Sequence, residues 1–139
     1  MIALAALALV PGMAAAQSSV TVYGDLDLGV LTQNHATVKT QLYNGGISPS
    51  IWGFRGSEDL GGGLKAHFNL EVHIAADTGE AGGNATTGVA RLFRRQSNVG
   101  LSSADFGSVT LGNQYSPAIL AFAATDPRGL RENFSGLYS

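Results

Sequence analysis

Five polar residues occupy alternate positions of one run: Lys65, His67, Asn69, Glu71 and His73. Residues of these types could ligate a metal, relay a proton or contact a passing ion. The two histidines stand at i and i+6, roughly 20 Å apart in an extended chain, so they cannot share a metal ion. No nucleophile–base pair, usefully spaced carboxylate pair or metal triad occurs elsewhere, so an enzyme is not expected. The glycines Gly61 to Gly63 lead into a strand pattern rather than a helix, so they form no phosphate cradle. The chain has no cysteine, which excludes a disulfide framework and thiolate metal sites. No catalytic residue, metal or cofactor is expected. The remaining chemistry is electrostatic, with charged and polar side chains lined up along one face.

That face belongs to a long strand. Leu64, Ala66, Phe68, Leu70, Val72 and Ile74 alternate with the five polar residues. Period-two alternation describes a strand between two different solvents. The run reaches roughly 36 Å, which suits a tilted bilayer-crossing strand better than an ordinary globular one. Ser19 to Leu31 alternates in the same way, with Tyr23, Asp25 and Asp27 opposite Val20, Val22, Leu26, Leu28 and Val30. Ser50 to Gly56 is a further strand, with Trp52 and Phe54 on one face and Ile51 and Arg55 on the other. Arg91 to Ser103 and Ser108 to Ser116 are the fourth and fifth.

The connections alternate in length. Gln33 to Ser48 and Ala75 to Val89 read as long loops, whereas Ser57 to Gly63 and Ala104 to Gly107 are short turns. The tail from Pro117 to Ser139 is non-periodic. Short turns at one end and long loops at the other are the rhythm of an outer-membrane barrel. Charged residues are only 13% of the chain, about half the usual share. With a formal net charge of −2, nothing attracts nucleic acid.

The first sixteen residues are of another kind. Met1 to Val10 is almost wholly aliphatic, Pro11-Gly12 interrupts it, and Ala14-Ala15-Ala16 offers small residues. Residues 1–16 are therefore expected to be a signal peptide, cut after Ala16 and too short to span a bilayer as a helix. No Lys or Arg precedes Lys39, so a basic start is expected upstream of Met1.

Four motifs now carry a family resemblance. They are S-S-V-T-V-Y-G-D-L-D-L-G-V (Ser18 to Val30), W-G-F-R-G-S-E-D-L-G-G-G-L-K (Trp52 to Lys65), R-Q-S-N-V-G-L-S-S (Arg95 to Ser103) and F-G-S-V-T-L-G-N-Q-Y-S-P (Phe106 to Pro117). In this order they resemble general trimeric porins of the β-proteobacterial and neisserial type. The resemblance implies an all-β, antiparallel transmembrane β-barrel of about 16 strands. Residues 17–139 would be its N-terminal part, an open sheet of about five strands ending inside the third, constricting loop. It further implies the Gram-negative outer membrane, a homotrimer, contact with lipid, and passive diffusion of ions and small hydrophilic solutes.

On this reading the pore-lining and constriction residues are Arg95, Arg55, Lys65, Tyr23, Asp25, Glu71, Asp126 and Glu132, with Arg128 and Arg131 beside the two loop acids. Arg95 is the main constriction base by resemblance. Strict alternation instead groups it with Phe93, Val99 and Leu101, and turning Arg95 inward would send Gln96 and Asn98 outward. Ile51 and Asn113 stand where such porins usually carry arginine, which leaves the ion preference open. Two other readings predict different behaviour. A small outer-membrane barrel serving as adhesin or anchor would not conduct, and a soluble secreted β-domain would need no detergent.

Overall fold

The computed structural model describes residues 19–34, 37, 39–81 and 91–131. The expected signal peptide and Glu132 lie outside these residues. In chain order the elements are β1 (Ser19–Asp25), β2 (Leu28–Thr32), β3 (Thr40–Asn44), β4 (Ile51–Gly61), β5 (Leu64–Ala75), β6 (Glu80–Ala81), β7 (Gln96–Ser103), β8 (Gly107–Asn113) and α1 (Pro117–Thr125). The main sheet runs β1-β4-β5-β7-β8 with every pairing antiparallel, and β6 adds to the end of β5. The strands β2 and β3 pair separately.

Register decides which residues share a face, because cross-strand partners point the same way. Tyr23 faces Gly53, Gly53 faces Glu71, and Glu71 faces Gln96. The next row is Thr21, Arg55, Asn69, Asn98 and Gly112. The row beyond is Ser19, Ser57, His67, Gly100 and Thr110. Every one of these rows is polar or glycine. The opposite face carries Val20 and Val22, Trp52 and Phe54, Phe68 and Leu70, Val99 and Leu101, and Val109 and Leu111.

The apolar face is largely uncovered, with Val72 its one fully buried hydrophobic side chain among the described residues. Val22 is 66% exposed and Leu111 67%, while the charged Glu71 is only 5% exposed. A soluble protein shelters aliphatic side chains and wets its carboxylates. A barrel wall does the reverse, with its apolar band turned to lipid and its polar side inward. At the short-turn end, Gly61, Gly62 and Gly63 all take positive φ. That conformation strains any residue with a Cβ, which explains the triple glycine between β4 and β5.

Five expectations about the elements are corrected. The strand expected over Ser50 to Gly56 runs on to Gly61, so the turn expected over Ser57 to Gly63 is confined to Gly62 and Gly63. The first strand does not run unbroken to Leu31. It leaves the main sheet after Asp25, because Asp27 is committed elsewhere: its carboxylate Oδ2 accepts the N–H groups of Ile47 and Ser48 (2.6 Å for Ser48), and its own N–H goes to Ser50 Oγ at 2.9 Å. The chain beyond the break is β2. The polar stretch 33–48 is not all loop, since Thr40–Asn44 pairs back onto β2 as β3. The fourth strand starts at Gln96 rather than Arg91, with a turn and bend before it. The non-periodic tail contains α1. Its start is written in Ser116-Pro117, for Ser116 Oγ accepts the Ile119 N–H at 3.3 Å and Pro117 needs no amide partner in the first turn.

Candidate functional site

Glu71 sits in β5, four residues before its end at Ala75. Alternation aims it to the polar face, and three side chains close over it. Arg95 Nε donates to Glu71 Oε1 at 2.7 Å. The Tyr115 hydroxyl reaches the same oxygen at 3.3 Å. The Tyr23 hydroxyl lies 2.8 Å from Glu71 Oε2 and 2.7 Å from Asn69 Oδ1. With one proton to give, Tyr23 serves one of these acceptors at a time. Arg95 Nη2 also donates to Tyr115 Oη, and the guanidinium lies 5.8 Å from the centre of that ring. A buried carboxylate is costly unless paired and hydrogen-bonded, and Glu71 is both.

Each partner is placed by a local cause. Tyr23 crosses β4 to reach Glu71 because the residue between them is Gly53. A Cβ there would meet the Leu70 carbonyl and stand 3.0 Å from Tyr23 Cζ. Tyr115 follows the end of β8 and precedes the cap of α1. Arg95 occupies the bend before β7, where its backbone N–H still bonds the Glu71 carbonyl at 3.2 Å. The bend frees Arg95 from strand alternation. Gln96 and Asn98 therefore remain on the polar face beside Glu71 and Asn69 rather than turning outward as expected. Asn113 holds the bend from β8, donating to the carbonyls of Arg94 at 2.6 Å and Arg95 at 3.3 Å.

The other expected residues lie apart from this cluster. Arg55 is exposed on the polar face with its guanidinium 5.1 Å from the centre of the Tyr23 ring. Lys65 stands at the short-turn end, paired across strands with Asp59 and Ser102. Asp25 lies at the opposite end in a row with Ile51 and His73. Asp126 caps α1 and accepts from the N–H groups of Arg128 (3.2 Å) and Leu130 (2.8 Å). Asp27 is held below the usual carboxylate range, chiefly by the Ser48 N–H and then that of Ile47; partial desolvation opposes this, and the Arg131 charge adds to it. The segment that leaves β8 at one side of the sheet thus brings Arg131 near the β1–β2 break at the other. Tyr115 was not among the expected site residues. Its signal was present in the G-N-Q-Y-S-P motif, but a tyrosine at a strand end carries no charge to single it out.

The Gram-negative porin family matches residues 3–136. The chain belongs to this family. Outer membrane porin protein 32 of Delftia acidovorans is 45% identical over 120 residues, covering 84% of this chain and 32% of that protein. An outer membrane porin protein of Bordetella pertussis is 34% identical over 147 residues, covering 93% and 36%. Among solved structures, an anion-selective porin from Comamonas acidovorans superimposes with a TM-score of 0.65 at 37% identity, covering 83% of this chain and 33% of that one. The chain spans about a third of the length of the porins it matches. Membership places it in the Gram-negative outer membrane, and porins are channels rather than enzymes. Nothing among these relatives supports an adhesive barrel.

Proposed function

We propose that this chain supplies the first strands of the wall of an outer-membrane diffusion channel, through which ions and small hydrophilic solutes pass. The observation that carries this is the sheet itself: exposed valines and leucines on one face, and on the other polar rows with Glu71 buried under Arg95, Tyr23 and Tyr115. Five strands leave unpaired edges, which hydrocarbon does not tolerate, so the channel needs the further strands that complete a barrel. Three such barrels form the homotrimer, by analogy with the family.

Porin selectivity comes from pore width and from the charges along it. On this wall Arg55, Arg95, Lys65, Tyr23, Asp25 and Glu71 share the polar face or its end, and they line the lumen. The segment carrying α1, Asp126 and Glu132 is the constricting loop. The route of residues 114–131, from Tyr115 beside Glu71 to Arg131 near Asp27, supports a path across the polar face. The test is conductance of the complete barrel in planar bilayers. Stepwise, ohmic current is expected; a barrel that inserts but passes no current overturns the reading.

A further inference from the structure

We infer that Arg55, rather than Arg95, is the wall charge that sets the channel's ion preference, and that its row forms a transit site for small anions. This rests on the channel reading and deepens it. Arg95 is the stronger candidate by motif, yet its guanidinium is committed on two sides, to Glu71 at 2.7 Å and to the Tyr115 hydroxyl. A cation and an anion in contact present little net charge to an ion passing beyond them. Among the described residues this is the ion pair on the polar face.

Arg55 differs in its surroundings. It is exposed, and its neighbour is the uncharged ring of Tyr23, 5.1 Å from the guanidinium carbon. Among the described residues no carboxylate stands within salt-bridge distance of it. Its cross-strand partners are Thr21 and Asn69, and Asn98 follows in the same row. The row therefore offers one open cation flanked by the Thr21 hydroxyl and the Asn69 amide, with no acid, while the Asn98 amide nitrogen already donates to Gln96 Oε1 and the Asn113 carbonyl. A guanidinium presents planar N–H donors suited to a carboxylate or phosphate, and neutral amides solvate such groups without repelling them. The exposed acids on this face are Asp25, four positions along β1 from Thr21, and Asp59, four positions along β4 from Arg55, each about 13 Å away at strand rise and beyond one Debye length in physiological salt. Lys65 is four positions along β5 from Asn69 in the other direction and faces Asp59. Arg55 therefore dominates the local potential in its row.

The test uses the complete barrel in planar bilayers under a salt gradient, with potassium chloride and then potassium acetate as probes. A unit charge about 7 Å from the ion path in a water-like dielectric changes local anion concentration roughly threefold. Arg55→Gln removes both this enrichment of anions and the matching depletion of cations, so the anion-to-cation permeability ratio is expected to fall roughly sevenfold. Arg55→Lys keeps the charge and should restore the ratio for chloride. The double variant E71Q/R95Q removes a neutral pair and should shift the ratio less than Arg55→Gln does. An Arg55→Gln channel of normal conductance with the parent's reversal potential overturns the assignment and leaves the channel reading intact. A larger shift from the double variant than from Arg55→Gln overturns it in favour of Arg95. Absence of current from the inserted parent barrel overturns the channel reading itself, and this assignment with it.

Discussion

Glu71 holds Arg95 twice: its backbone carbonyl takes the Arg95 N–H at 3.2 Å, and its carboxylate takes Arg95 Nε at 2.7 Å. The backbone bond extends the β5–β7 ladder one step past Gln96, and the side-chain bond turns the guanidinium onto the polar face. Removing one partner leaves the other charge poorly compensated. Loss of one member of a buried pair commonly costs 3–5 kcal/mol. The Arg95 side chain is 24% exposed and that of Glu71 6%, so water screens part of this. Glu71→Ala should therefore destabilise the folded barrel by about 2 kcal/mol, and E71A/R95A by less than the sum of the single variants. Urea unfolding in detergent micelles measures both. Additive losses would show that the pair is not coupled.

Gly53 sets the reach of Tyr23. An added Cβ has no free space between the Leu70 carbonyl and the tyrosine ring. Gly53→Ala should displace Tyr23 from Glu71 and cost about 1–3 kcal/mol, as overpacking of a tight contact does. Gly53→Ala in a Tyr23→Ala background should cost clearly less, because one of the two clashes is gone. Equal losses in the two backgrounds would place the strain on the Leu70 carbonyl alone.

The faces of the strands are legible in the sequence because a period of two needs only side-chain polarity, and β5 reads from it to within one residue; β4 runs five residues beyond its expected end at Gly56, because polar Ser57 to Asp59 look like turn residues. The site was legible in its members but not in its contacts. Alternation put Glu71 and Tyr23 on one face, yet their meeting depends on Gly53 lying between them on β4, which register alone reveals. Alternation misplaces Arg95 because the strand begins at Gln96, not at Arg91. The bend that frees it depends on Asn113 gripping two carbonyls from another strand, a contact distant in the chain. The hairpin of β2 and β3 was missed for a similar reason. Thr40 to Asn44 is short and polar, and pairs only because Asp27 redirects the chain toward it.

Asp27 makes that redirection sensitive to acid. Its pKa is lowered from an ordinary value of 3.8, chiefly by the Ser48 and Ile47 N–H groups. A depressed carboxyl contributes stability that is fully present above its unfolded value and is lost as pH falls through the lower folded one. The β1–β2 break should therefore be unaffected near neutrality and loosen only below about pH 4. The amide NMR shifts of Ile47 and Ser48 should titrate together in that range, and Asp27→Asn should abolish the titration. A midpoint at or above the ordinary carboxylate value would contradict the geometry.

The two faces should respond in opposite ways to an introduced charge. Val99 and Leu111 are register partners on the apolar face, and Leu111 is 67% exposed. Thr110, one position away on β8, points to the polar face and bonds His67 Nε2 at 3.2 Å. A basic residue turned to lipid costs about 2–4 kcal/mol at the bilayer midplane and close to nothing near its edges, while a lumen position remains hydrated. Leu111→Arg should lower barrel stability by roughly 2 kcal/mol. Thr110→Lys should leave stability within about 1 kcal/mol of the parent, at the cost of one hydrogen bond to His67. Only the lumen substitution should raise the anion-to-cation permeability ratio. Unfolding in lipid bilayers and reversal potentials separate these outcomes. If Leu111→Arg instead shifts selectivity at unchanged stability, the apolar face is not the one that meets lipid, and the inside-out reading of the sheet is wrong.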